Sequence, residues 1–297
     1  RIGEASKLSK VRIIDKAIPN KIPIKPNKSQ NIFFGIILGI ILGIGSSMII
    51  ELSDNTVKSI EQVERRGLVI LSMIPAISSN NNRKSDGRKY AKKDLDVEKL
   101  KRRLITHEDP KSPISESYRS LRTSLMYTKS NSKCNILLVS SPGPGEGKTT
   151  TIANLAITYA NLGKKTLLID SDLRKPVMHN IFKIDKSPGL TSFLSNNSDI
   201  DGIVNSTGID NLDVITSGVI PPNPSELLDS NKMTEFIHKA KELYDVILFD
   251  TPPLVAVTDA YVLLKYIDQF ILVVRPGKTE RGALERVLTS TNQSNFN

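Results

Sequence analysis

Hydrophobic positions fall into two regimes along the chain. Residues 32–50 read IFFGIILGIILGIGSSMII, without a charge and apolar on every side. At ~1.5 Å per residue such a helix reaches about the 30 Å of a bilayer core. The pattern predicts a transmembrane helix over 32–50. A core helix of a soluble domain is the alternative, but no polar face would be left for water. No small-residue cleavage site follows, so the segment lacks the form of a signal peptide. Gly35, Gly39 and Gly43 recur every four residues, either as a smooth face for close helix packing or as glycines that a lipid-embedded helix tolerates. Before the span, Pro19, Pro23 and Pro26 stiffen an extended connector. After it, 52–66 reads as a polar helix continuing from the membrane, 68–75 (LVILSMIP) as a short strand and 78–103 as a polar, basic linker.

From residue 111 onward, short apolar runs alternate with amphipathic stretches. Strands are expected at 135–140 (NILLVS), 165–169, 212–216, 246–249 and 270–274. Helices are expected at 151–162, ended by Gly163, and at 233–243. Fully apolar strands spaced by helices imply an α/β fold with a doubly wound, mostly parallel sheet. No internal repeat is visible.

Charge sharpens this division. The chain of 297 residues carries a net charge of +10. Residues 1–31 hold 8 bases and 2 acids, and residues 83–103 hold 10 bases and 4 acids. Residues 111–297 are nearly neutral, with 20 bases and 19 acids. The bases therefore flank the apolar span and do not form a nucleic-acid face on the globular block, so no nucleic-acid partner is expected. The 83–103 run is either a solvated linker or a segment that lies on anionic membrane lipid. One cysteine, Cys134, excludes an internal disulfide. His107, His179 and His238 lack zinc-ligand spacing.

The strongest chemical signal is Ser141-Pro-Gly-Pro-Gly-Glu-Gly-Lys148-Thr149-Thr150, which follows an apolar strand and opens a helix. Gly143, Gly145 and Gly147 let backbone N–H groups close around phosphates, with Glu146 between them. Lys148 can reach the β- and γ-phosphates, the Thr149 hydroxyl suits Mg²⁺, and the helix N-terminus adds its positive end. The strict phosphate-loop pattern would place Gly where Pro142 stands. Two further strands end in acids, Asp170 and Asp172 in LLIDSDLR and Asp250 in VILFDTPP. Ligands of open parallel sheets sit at the carboxyl ends of strands. Asp170, Asp172 and Asp250 are therefore expected to converge on the loop, although any one alone could be a helix cap. Arg174 could contact phosphate or a neighbouring subunit, or lie on the surface. Glu116, Arg119 and Arg122 read, on their own, as a solvated charged face.

These residues resemble the bacterial tyrosine kinases (BY-kinases) of capsular and exopolysaccharide synthesis, in the form fused to a chain-length-determinant (polysaccharide co-polymerase) domain. The likeness covers nearly all of the chain. It rests on the loop PGEGKT, on LIDSDLRKP over 168–176, on Asp250-Thr-Pro-Pro, on IPPNPSELL from Ile220, and on Glu116-Ser-Tyr-Arg119-Ser-Leu-Arg122. The resemblance implies four segments. Residues 1–31 would end an extracytoplasmic chain-length domain, 32–50 would span the membrane, 51–110 would form a cytoplasmic juxtamembrane segment and linker, and 111–297 a P-loop kinase domain. Lysines and arginines before the span would put that side in the cytoplasm by the positive-inside rule. The need of the C-terminal block for ATP overrules it, giving a plasma-membrane protein with a cytoplasmic kinase.

By the same resemblance the cofactors are ATP and Mg²⁺. Lys148, Asp170, Asp172 and Asp250 are the catalytic set, Gly143 to Thr150 the nucleotide loop, and Thr149, Asp172 and Asp250 the metal ligands. Asp172 is favoured as the base toward the acceptor tyrosine. Glu116, Arg119 and Arg122 would pack subunits into a ring. Expected partners are the polysaccharide polymerase and export machinery and a cognate phosphatase. The family's acceptor is a C-terminal tyrosine cluster, whereas here the last tyrosine is Tyr266 and 290–297 reads as a polar tail. The chain is thus expected to be a fragment, truncated at its C-terminus, that binds ATP without phosphorylating itself in the usual place. Two alternatives stand: a catalytically impaired nucleotide-binding regulator, and a positioning-type P-loop ATPase. Many of the latter carry a second Lys where Gly143 stands.

Overall fold

A computed structural model describes residues 25–76, 104–128 and 134–293. The basic run 83–103 and the connector prolines Pro19 and Pro23 lie outside the described residues. The chain divides into two units, residues 1–54 and 55–297.

In the first unit, α1 (Lys28–Ser53) is 26 residues long, with a mean hydropathy of 2.4 in its most apolar window and no buried residue. It is long and apolar enough to cross a membrane. It exceeds the expected 32–50 because Lys28–Asn31 and Glu51–Ser53 continue the same helical backbone at each end. The expected polar helix over 52–66 does not form. Asp54 is extended, at φ −81° and ψ 100°, and closes the helix.

The second unit begins with extended backbone in place of that helix. Val57 donates its N–H to Thr279 and accepts one from Gly277, and Arg281 donates to the Asn55 carbonyl. These partners hold the Asn-Thr-Val run out of helical geometry, and only α2 (Ile60–Glu64) follows. The expected strand at 68–75 is also absent. That segment is irregular and lies along a helix, with its carbonyl at Leu71 bonded to Ser124 Oγ and Ser72 Oγ bonded to the Ser117 carbonyl. Leu71 and Ile74 point into the core there, so the apolar pattern is satisfied without a sheet edge.

α3 (Ile105–Glu108) and α4 (Pro113–Tyr127) precede the sheet. Ser112 caps α4 through the Ser115 N–H at 3.1 Å, with Pro113 at the first helical position. The sheet then builds from β1 (Asn135–Ser140), α5 (Lys148–Ala160), β2 (Thr166–Asp170), α6 (Met178–Phe182), α7 (Leu190–Leu194), β3 (Val204–Ser206) and β4 (Leu212–Ile215). It continues through α8 (Pro224–Leu228), α9 (Asn231–Leu243), β5 (Val246–Asp250), α10 (Asp259–Leu263), β6 (Gln269–Leu272) and α11 (Arg281–Gln293). The six strands lie in the order β3-β4-β2-β5-β1-β6, parallel except for the edge strand β3.

Each strand predicted from residue 111 onward is present within a residue or two of its expected ends, whereas β3 was not anticipated, its three half-polar residues carrying no apolar run. Alternation divides the central strands between two cores. Leu137, Val139, Leu168 and Leu248 face α4 and α5, while Ile136, Leu138, Ile169 and Phe249 face α7 and α9. The expected polar tail from Ser290 is corrected in part: Ser290 to Gln293 belong to α11, which is seated by buried Leu284, Val287 and Thr291 at helical spacing.

Candidate nucleotide site

All the parallel strands deliver their carboxyl ends to one edge of the sheet, and the loop from Ser141 to Gly147 lies there. Its shape follows from glycine. Gly145 (φ 71°) and Gly147 (φ 107°) occupy left-handed backbone that other residues rarely adopt. At Gly143 a Cβ would approach Glu146 Oε1 to 2.9 Å. The Glu146 side chain folds under the loop, where burial raises its pKa against hydrogen bonds from Thr279 and the Gly143 backbone. Above it, Lys278 Nζ and an Arg275 nitrogen donate to the Gly145 carbonyl at 2.9 and 3.4 Å. The loop ends at the N-terminus of α5, whose first turn begins with Lys148 and Thr149.

Lys148 Nζ lies 3.2 Å from Asp172 Oδ2, 3.4 Å from Asp250 Oδ1 and 3.3 Å from Thr149 Oγ1. Thr149 Oγ1 donates to the other Asp250 oxygen at 2.7 Å. Burial pushes the Lys148 ammonium down, but the charges of Asp250 and Asp172 outweigh it, and its pKa lies above the usual lysine value. Asp170 is fully buried. Its Oδ2 accepts the N–H groups of Val177 and Met178, and its Oδ1 has no hydrogen-bond partner. Burial first, then the charge of Asp250, raises its pKa to about 7. Burial also raises Asp250. The expected convergence of Lys148, Thr149, Asp170, Asp172 and Asp250 is what the structure contains. Thr150 follows in the same turn, its carbonyl accepting from Asn154.

Three carboxylates around one ammonium leave a surplus of negative charge that a divalent cation would balance. Among the described residues no three His, Cys, Asp or Glu converge tightly enough to hold a metal alone. Mg²⁺ takes one or two carboxylates and completes its shell with a hydroxyl, waters and substrate phosphates. The donor set of Thr149, Asp172 and Asp250 fits this chemistry.

The three residues expected to pack subunits, Glu116, Arg119 and Arg122, lie elsewhere. Glu116 and Arg119 pair with each other at 2.8 Å on the exposed face of α4, Arg119 also reaches the Pro110 carbonyl, and Arg122 donates to the Thr158 carbonyl of α5 at 2.6 Å. Arg174, for which three places were open, forms a fork onto the buried Asp259 carboxylate. Sequence reasoning missed Asp259, Arg275 and Lys278, and it gave Ser225 no role although Ser225 lies in the IPPNPSELL run. None carries a local spacing signal, and Arg174 and Asp259 are 85 positions apart.

Residues 135–294 match an AAA domain, and residues 1–51 match the G-rich domain GNVR. The chain is 45% identical over 183 residues to the tyrosine-protein kinase YwqD of Bacillus subtilis, covering 62% of this chain and 77% of that protein. It is 33% identical over 281 residues to the tyrosine-protein kinase etk of Escherichia coli K12, covering 93% of this chain but only 38% of that protein. Among solved structures, the kinase domain of Escherichia coli ETK aligns with a TM-score of 0.70 at 30% identity, covering 80% of this chain and 90% of that one. The chimerical protein CapA2B2 aligns at 0.68 and 35% identity, covering 80% and 95%.

Proposed function

The chain belongs to the bacterial tyrosine kinase family, and from that premise we propose that it transfers the γ-phosphoryl group of ATP to protein tyrosine at the plasma membrane, in the control of capsule or exopolysaccharide synthesis. The observation that carries this reading is the Lys148 ammonium held between Asp172 and Asp250 directly behind a glycine loop. Backbone N–H groups of the loop bind the phosphates, and Lys148 moves from its carboxylates toward the γ-phosphate as negative charge arrives. Thr149, Asp172 and Asp250 would hold Mg²⁺, which supplies charge neutralisation on the phosphates when bound. The tyrosine oxygen bonds to the γ-phosphorus, the bond to the β,γ-bridging oxygen breaks with its electron pair leaving on ADP, and Asp172 accepts the phenolic proton. A phenol of pKa ~10 needs such a base at neutral pH.

In the same reading α1 spans the membrane, residues 55–297 face the cytoplasm, and Glu116, Arg119 and Arg122 mediate a ring of subunits. Polysaccharide polymerase and export proteins, a phosphatase and anionic lipid acting on 83–103 are the partners. The test is incubation of the chain in lipid nanodiscs with Mg-ATP and a tyrosine-containing polypeptide, followed by phosphopeptide mass spectrometry. Phosphotyrosine with the native chain and none with Asp172→Asn supports the kinase. Bound nucleotide without phosphotyrosine favours a regulator, and ADP release stimulated by DNA or lipid alone favours a positioning ATPase.

A further inference from the structure

The loop that carries Asp172 is anchored in its middle by the fully buried Leu173 and at its far end by the Val177 and Met178 N–H groups, which donate to Asp170. Ser171 secures its start, through hydrogen bonds of its N–H and Oγ to the Asp250 carbonyl. Asp172 Oδ1 accepts the Lys175 N–H at 3.0 Å, so the carboxylate is aimed by the backbone three residues on. Next to that backbone, Arg174 adds a tie to another loop: its Nε and Nη2 donate to Asp259 Oδ2 and Oδ1 at 2.7 and 3.0 Å. Asp259 is the first residue of α10, wholly buried, and its Oδ1 also accepts the Ser225 hydroxyl at the start of α8. One buried carboxylate therefore ties together the loops after β2 and β5 and the start of α8. The guanidinium is a planar fork that meets both carboxylate oxygens, a geometry lysine cannot reproduce. Burial alone would raise the Asp259 pKa, but the hydrogen bonds from Arg174 and Ser225 outweigh it, so the pair is ionic.

We propose that Arg174 and Asp259 are positioning residues for Asp172: the fork holds the loop so that the Lys175 N–H aims the carboxylate at Lys148 and the metal position. This rests on the reading of Asp172 as a Mg²⁺ ligand and base. Outer partners of this kind change metal affinity or activity by about 10–100-fold.

The experiment uses the full chain in nanodiscs with Arg174→Gln, Arg174→Lys, Asp259→Asn, Ser225→Ala and the double variant Arg174→Gln/Asp259→Asn. Affinity for a fluorescent ATP analogue is measured with Mg²⁺ and with EDTA, beside kcat and KM for a tyrosine peptide. In EDTA all variants are expected to bind within about twofold of the native chain, because the phosphate loop is untouched. With Mg²⁺, Arg174→Gln and Asp259→Asn each lose about tenfold of the metal-dependent gain, and kcat falls without a change in peptide KM. The double variant is no worse than either single, Arg174→Lys recovers part of the loss, and Ser225→Ala loses less than either. Native Mg²⁺ dependence in Arg174→Gln would overturn the proposal. So would losses that multiply in the double variant, or an equal loss in EDTA, which would make the fork merely structural. Should Asp259→Asn fail to fold, the half-exposed Arg174 variants decide alone. Absence of phosphotyrosine with the native chain sinks the kinase reading, while the Mg²⁺ titration still decides this one.

Discussion

Replacing Lys148 with Met removes the ammonium and keeps most of the aliphatic stem. The side chains of Lys148, Asp172 and Asp250 are 11%, 7% and 0% exposed, so water cannot take over the lost charge. Breaking one partner out of a buried ion pair costs about 3–5 kcal/mol. For a unit of this size each kcal/mol moves Tm by roughly 2–4 °C, so nucleotide-free Lys148→Met should melt roughly 6–20 °C below the native chain at pH 8. Of the carboxylates left behind, Asp170 and Asp250 hold protons more tightly in the folded state than in the unfolded one. Their contribution is present at low pH and lost as pH rises through their folded values, about 7 for Asp170. The deficit should therefore shrink at pH 6. The assay is thermal unfolding followed by circular dichroism at both pH values. A variant melting within 2 °C of the native chain at pH 8 would refute the view that Lys148 neutralises this cluster. A loss of activity in Lys148→Met would then be chemical alone; on the present account it is partly a loss of fold.

Other perturbations follow from the same contacts. Gly145→Ala places a Cβ at φ 71° against Lys278 Nζ and should lower nucleotide affinity by about tenfold, read by calorimetric titration. Asp259→Asn should destabilise the chain between pH 5 and 8, since a carboxylate with a depressed folded pKa contributes its stability above the unfolded value. The gap should close as pH falls below ~4, and a gap that persists at pH 3 would contradict the ion pair. Ser112→Ala removes the cap of α4 and should cost about 1 kcal/mol in urea unfolding, against no change if the Ser112–Ser115 bond is incidental.

The site was legible because its signals are local. A glycine loop between an apolar strand and a helix, and acids at strand ends, need only a few neighbouring residues to be recognised. The central strands were legible for a related reason: buried on both faces, they show as unbroken apolar runs. Where tertiary partners decide, the pattern misled. The run 68–75 looks like a strand but packs on α4, and 54–59 looks helical but is held extended, with Asn55 and Val57 bonded to residues 277–281. The end of α11 from Ser290 was read as a polar tail because Ser290 to Gln293 include no apolar residue. Asp259 was invisible as a partner of Arg174 because nothing in either neighbourhood refers to the other.

The central claim is that this site passes phosphate to tyrosine and not to water. The most direct measurement counts phosphotyrosine formed per ADP released, with the chain in nanodiscs, Mg-ATP and a tyrosine polypeptide in excess. A ratio near one, abolished together with ADP release in Asp172→Asn, is the predicted result. ADP released without phosphotyrosine would contradict the account.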